Sequence, residues 1–181
     1  IIMPTFGDEM DRGFFLRDGG YYFALSDYVD LALTGEIYTK GSWGLSARSA
    51  YRKRYKYSGN FNASLLTTIL GDKVVPKEYS KSKDFKITWT HSQDAKANPY
   101  RSFSASVNFA TSSYDRNQLT NIYNQNSTSN TKGSSVSLSQ RFPNSPFSLS
   151  ATMNVNQRSR DSSISVTLPA VSITMSRIYP F

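Results

Sequence analysis

The densest group of side chains able to bind an anion is YRKRYKY, residues 51–57. In an extended chain, alternation puts Arg48, Arg52 and Arg54 on one side, with Lys53 and Tyr55 towards a turn. Guanidinium groups spaced along one face can hold phosphate oxygens through charge-assisted hydrogen bonds. That role is assigned to Arg48 and Arg52, because Arg54 falls in the turn itself. The plain alternative is a solvated basic turn. His91 is the one imidazole, and alternation sets it beside Trp89 on an apolar side. A Ser-His-Asp hydrolase needs a histidine held by a carboxylate against a nucleophile, and no G-x-S-x-G turn accompanies it. An interfacial or strand-end histidine is expected instead. The acid run GDEMDRG carries Asp8, Glu9 and Asp11 without calcium-loop spacing, so solvated turn carboxylates are expected there. There is no cysteine, which excludes internal disulfides and thiolate metal sites. No catalytic residue, metal site or cofactor is expected.

The elements that carry these residues read as strands. Alternation with period two recurs from end to end, and helix signals are nearly absent. Strands are predicted at 1–7, 12–26 with an interruption, 29–38, 43–53, 56–67, 84–92, 101–113, 134–142, 147–157, 162–168 and 171–178. The last two are separated by a break at Pro169 and Ala170 within SSISVTLPAVSITMSR. The faces separate cleanly. Val29, Leu31, Leu33 and Ile37 oppose Asp30, Thr34 and Glu36; Trp43, Leu45, Ala47 and Tyr51 oppose Ser46, Arg48 and Arg52. Further on, Phe103, Ala105, Val107 and Phe109 oppose Ser102, Ser104, Ser106 and Asn108.

Two architectures use one greasy and one hydroxyl-rich face: a soluble sandwich and a barrel in lipid. Several runs reach the roughly 9–11 residues that a tilted strand needs to cross a bilayer. A mean hydropathy of −0.47 does not oppose this, since every second residue of a barrel strand can be polar. No apolar run approaches a membrane-spanning helix. The reading is therefore all-β: an antiparallel transmembrane β-barrel built as a meander, here about eleven strands of a larger barrel. Residues 1–181 form a single incomplete domain, the N-terminal part of that barrel. Both ends read as cuts through a longer protein, with any export signal upstream of Ile1.

Alternate connections fall on opposite rims. One rim takes the two longest, 67–83 and 113–133; the other takes residues 27–29, the basic turn near Lys53–Lys56, PNSP at 143–146 and the break at Pro169 and Ala170. Bacterial barrels place short turns on the periplasmic side and long loops outside. The middling SQDAKANPYR, on the short-turn rim, fits this rule less well. Tyr38 and Trp43, Tyr55 and Tyr57, Phe142 and Phe147, and Tyr179 and Phe181 sit near strand ends, as interfacial aromatic girdles do. The net charge of +8 favours an anionic partner, and without a recognition helix or RNA-binding signature no nucleic acid is expected.

Residues 3–61, MPTFGDEMDRGFFLRDGGYYFALSDYVDLALTGEIYTKGSWGLSARSAYRKRYKYSGNF, and the later LPAVSITMSRIYPF carry a resemblance. In the order of their Met-Pro, Tyr21-Tyr22-Phe23 cluster, SDYVDLALTGEIY hairpin and YRKRYKYSG turn, they resemble the barrel of the LptD family in a Bacteroidetes-like form. These lipopolysaccharide-assembly proteins are also called OstA or organic solvent tolerance proteins. The resemblance implies a large barrel in the cell outer membrane of a Gram-negative bacterium, surrounded by outer-membrane lipid. It implies an LptE-like plug lipoprotein inside and a periplasmic Lpt bridge joined through an upstream jelly-roll domain. Lipopolysaccharide would cross the lumen and leave through a lateral gate between the first and last strands. Prolines in the family's first two strands weaken that seam, because proline cannot donate to a ladder. Pro4 matches the first; at the second, Gly20 after Gly19 departs from the pattern, and glycine softens a strand while keeping its N–H. A porin-like or substrate-specific channel is the alternative function, with the same alternation and a fixed pore.

Overall fold

The chain is described by a computed structural model over residues 1–10, 12–71, 79–111, 114, 131–158 and 163–177. Ten strands make up the described sheet: β1 (Thr5–Glu9), β2 (Gly13–Ser26), β3 (Val29–Tyr38), β4 (Trp43–Lys53), β5 (Tyr57–Leu70), β6 (Ser80–Gln93), β7 (Arg101–Ala110), β8 (Thr131–Arg141), β9 (Phe147–Arg158) and β10 (Ser163–Met175). They pair antiparallel in chain order, as one meander sheet whose two ends, β1 and β10, are open. No described helix is long and apolar enough to cross a membrane.

The expected eleven strands become ten because 162–168 and 171–178 are one strand, broken by a bulge and not by a turn. Thr167 faces Asn154 and Ala170 faces Thr152, so β10 spends one residue more than β9 over that interval. The extra residue absorbs the odd spacing between Val166 and Val171, and both stay on the apolar face, opposite Val155 and Ala151. Pro169 is tolerated because it lies within the bulge, where the ladder with β9 is interrupted. The 67–83 connection also shortens. Continued pairing of Thr68 with Ser82 and Leu70 with Ser80 extends β5 and β6 to fourteen residues each.

Register turns the alternation into two continuous surfaces. Across the sheet, Leu33, Ala47, Ala63 and Ile87 lie in one row; Gly35, Leu45, Leu65 and Phe85 lie in the next. This face is uncovered: Leu45 is 49% exposed, Leu65 55% and Ile173 69%. The described strands form no second layer against which such side chains could pack, which removes the sandwich. The opposite face carries hydroxyl ladders, with Ser104 2.6 Å from Ser137, Ser150 2.6 Å from Ser172, and Ser46 donating to Ser64 at 3.1 Å. Near the rim of the long connections, Leu66, Ala110 and Tyr114 form a small buried cluster.

Where two strands part, side chains take over the ladder. Between β3 and β4, the Ala50 N–H donates to Asp30 Oδ1 at 2.8 Å and Ser49 Oγ donates to the Asp30 carbonyl at 2.7 Å. Between β7 and β8, regular pairing ends at Ser106 and Ser135. Beyond it the Gln157 amide reaches across, donating from Nε2 to the Ala110 carbonyl at 2.5 Å and accepting the Ala110 N–H at 3.4 Å. Ser134 Oγ serves the Asn108 N–H and carbonyl in the same way, at 2.9 and 3.3 Å.

Gly20 is required by closeness. A Cβ there would run into the carbonyl oxygen of Leu33 on β3, whereas at Gly35 it would meet only the Gly44 carbonyl, at 3.7 Å. Gly20→Ala is therefore expected to lower barrel stability by about 2–3 kcal/mol. Gly35→Ala should leave it unchanged or raised. Urea unfolding of the refolded full-length protein, followed by heat-modified electrophoretic mobility, measures both.

Candidate functional site

The sheet edge at β1 collects the features that the sequence singled out. β1 pairs with β2 from Thr5–Arg17 to Glu9–Gly13, and beyond Thr5 the only contact of this kind is a bridge between Ile2 and Gly20. That bridge is complete: the Ile2 N–H donates to the Gly20 carbonyl at 2.8 Å, and the Gly20 N–H to the Ile2 carbonyl at 3.1 Å. Between them lies a gap at Met3–Pro4 and Asp18–Gly19. Pro4 has no N–H to offer, and its ring lies over Gly19, where a Cβ would come within 2.9 Å of Pro4 Cβ. Asp18 adopts φ 60°, the left-handed region that Asp tolerates better than most residues. It forms a bulge, since Leu16 faces Ile37 but Gly19 already faces Gly35. This is the interruption expected within 12–26. Pro4 and Gly20 thus come together on one edge, with the Asp18 bulge as a third member that no sequence motif announced.

The far end of β1 is tied down on the polar face. Arg17 Nη2 donates to Glu9 Oε1 at 2.6 Å and to the Tyr38 hydroxyl at 2.9 Å; its Nε lies 3.6 Å from Glu36 Oε2. The Tyr38 hydroxyl donates to Glu36 Oε2 at 3.3 Å, and the Arg17 guanidinium stands 4.4 Å above the Phe15 ring. Two expectations are corrected by this network. Glu9 is an ion-pair partner and not a solvated turn carboxylate, because β1 continues through it and points it at Arg17. Asp8 points to the other face, and Asp11 lies outside the described residues, so the acid run does not converge. Tyr38 is 6% exposed and faces the polar side; it belongs to this network and not to an aromatic girdle. Trp43, Tyr55, Tyr57, Phe142 and Phe147 are exposed near strand ends as anticipated, while Tyr179 and Phe181 lie outside the described residues.

Arg48 and Arg52 both project from β4 on the polar face, four residues and therefore about 13 Å apart. Both are exposed, and neither makes an ion pair among the described residues. Arg54 is in the hairpin turn, where Tyr55 takes φ 62°, and Lys53 is the last residue of β4. Arg52 lines a polar cleft of about 550 Å³ with Tyr22, Asp30, Asn60 and Thr90. Asp30 is already engaged by Ala50 and by the Tyr22 hydroxyl, at 3.3 Å.

One long meander sheet, greasy on one face and hydroxyl-rich on the other, with a proline-interrupted edge, has a match along its whole length. The family model described as LptD protein covers residues 1–181. The chain belongs to the LptD family. No curated protein matches it. Membership supports an LptD-like role in lipopolysaccharide transport, and the all-β sheet is consistent with part of an outer-membrane barrel.

In this LptD chain the residues missed by sequence reasoning are Arg17, Glu9, Glu36 and Asp18. Glu36 sits on a strand whose face was legible, whereas Glu9 was expected in a turn and Arg17 and Asp18 on a strand with no assigned face; their meeting depends on the register of three strands and on a one-residue bulge. Removing Arg17 strands two carboxylates beside each other. Arg17→Leu is expected to destabilise the β1–β3 edge by about 2 kcal/mol, and adding Glu36→Gln should return part of the loss. A double-mutant cycle on the urea midpoint of the full-length barrel reads this coupling.

Proposed function

We propose that the chain forms part of the wall of an outer-membrane barrel that carries lipopolysaccharide to the outer leaflet, without a catalytic step. The observation that carries this reading is the match to the LptD family over residues 1–181. The apolar face meets outer-membrane lipid and the Ser/Thr face lines a wet lumen, where a polar glycan slides past hydroxyls without strong attachment. The rim bearing the 142–146, 94–100, 54–56 and 27–28 connections faces the periplasm, following the short-turn rule.

The seam lies between β1 and the last strand of the barrel. Pro4 and Gly20 soften the β1–β2 ladder beside it, where pairing is reduced to one bridge, so that β1 can yield at the seam. Acyl chains leave sideways there while the sugars pass inside. Arg48 and Arg52, exposed on the polar wall, meet the phosphates of the passing glycolipid through charge-assisted hydrogen bonds. The remaining partners in this reading are an LptE-like plug lipoprotein in the lumen and a periplasmic Lpt bridge, reached through an upstream jelly-roll domain.

Photocrosslinking in cells expressing the full-length protein tests the route. The reactive residue is placed in turn at Arg48, at Pro4 and at outward-facing Phe61, near the periplasmic rim; Gly20 is unsuitable because no side chain fits there. Lipopolysaccharide adducts at Arg48 and Pro4, with only phospholipid of the periplasmic leaflet at Phe61, are expected. A protein folded in the outer membrane that gives no lipopolysaccharide adduct at either position would instead be a porin-like channel.

A further inference from the structure

The histidine set aside as a site of catalysis is part of a hydrogen-bonded relay on the apolar face. Tyr51 on β4 lies flat across β5 towards β6, in the space left by Gly59; a Cβ at Gly59 would run into the Tyr51 hydroxyl and the Thr90 carbonyl. Trp89 Nε1–H donates to the Tyr51 hydroxyl at 2.9 Å, and the same hydroxyl is 2.8 Å from His91 Nδ1. The Tyr57 ring stacks on His91 at 6.0 Å and Phe103 approaches it at 5.5 Å.

Hydrogen accounting gives the consequence. An indole, a phenol and a neutral imidazole carry three polar hydrogens among them, and the relay contains two hydrogen bonds. Whichever tautomer His91 adopts, one N–H or O–H is left to find an acceptor elsewhere. On a lipid-facing surface an unmet donor is costly, and near a strand end the lipid itself offers headgroup oxygens as acceptors, in competition with interfacial water. The position agrees: Tyr51 and His91 each lie two residues from the end of their strand, on the rim of short connections.

We propose that Tyr51, Trp89 and His91 form a docking point for a glycerophospholipid headgroup of the periplasmic leaflet, the Tyr51 hydroxyl donating to His91 Nδ1 and a phosphate oxygen accepting the Nε2–H of His91. The site rests on the reading that the apolar face meets lipid. Two measurements separate them, both on full-length protein in vesicles of phosphatidylethanolamine and phosphatidylglycerol. The first is ¹⁵N–³¹P dipolar recoupling with ¹⁵N-histidine, comparing the wild type with His91→Phe, which retains the ring contacts. A histidine–phosphorus coupling that is lost in His91→Phe and weakened in Tyr51→Phe is expected; spectra identical in wild type and His91→Phe overturn the site. The second is quenching of Trp89 fluorescence by lipids brominated in their acyl chains, read as the difference from Trp89→Phe. Quenching without the coupling overturns the headgroup site alone, and the absence of both overturns the lipid-facing assignment as well.

Discussion

Every described strand of this sheet depends on its neighbours for backbone hydrogen bonds, because the described residues form no second layer to supply burial in their place. In a two-layer fold a poorly paired strand can still be held by the core on its inner face. Here the described buried apolar residues are few, and the large apolar side chains are exposed. The ladder therefore carries the architecture, and the places where it opens are informative. Two are repaired by side chains: Asp30 and Ser49 bridge β3 to β4, and Gln157 and Ser134 bridge towards β7. The opening at Met3–Pro4 is different. There Thr5 Oγ reaches the Arg17 carbonyl at 3.2 Å, and the remainder is left to the single Ile2–Gly20 bridge.

The weakness of that edge is local and directional. At the Glu9 end, Arg17 links β1 to β3 through two carboxylates and a phenol, in a partly buried setting where charge-assisted bonds are stronger than on an open surface. At the Ile2 end, proline, a left-handed aspartate and two glycines coincide. β1 is thus anchored at one end and loosely bridged at the other, and it is this loose end that the proposed lateral gate uses. In the proposed route the hydroxyl wall beside it gives the weak contacts and the two exposed guanidiniums on β4 the strong ones.

Much of this was legible beforehand because a strand's faces follow from parity alone. The apolar rows through Leu33 and Leu45 and the two rims required only alternation and turn residues, whereas Pro4 was singled out by the family resemblance. The errors came from positions where parity slips. Val166 and Val171 are five residues apart, which reads as two strands until one bulged residue is allowed between them. Tyr38 was assigned by its nearness to a strand end, yet it faces the polar side and is buried by Arg17 and Arg12, whose guanidinium lies 5.1 Å from the ring.

What the sequence by itself determined is the all-β class, the two-faced surface, and the chemistry available on each face, since these depend on spacing along one chain. What only the tertiary structure decided is which side chains meet. Glu9, Arg17 and Glu36 converge across three strands, and Tyr51 reaches Trp89 and His91 over Gly59. Such meetings depend on register and on where a bulge shifts it. A one-residue slip sends every following side chain to the opposite face, and only the pairing of strands with one another selects between the two.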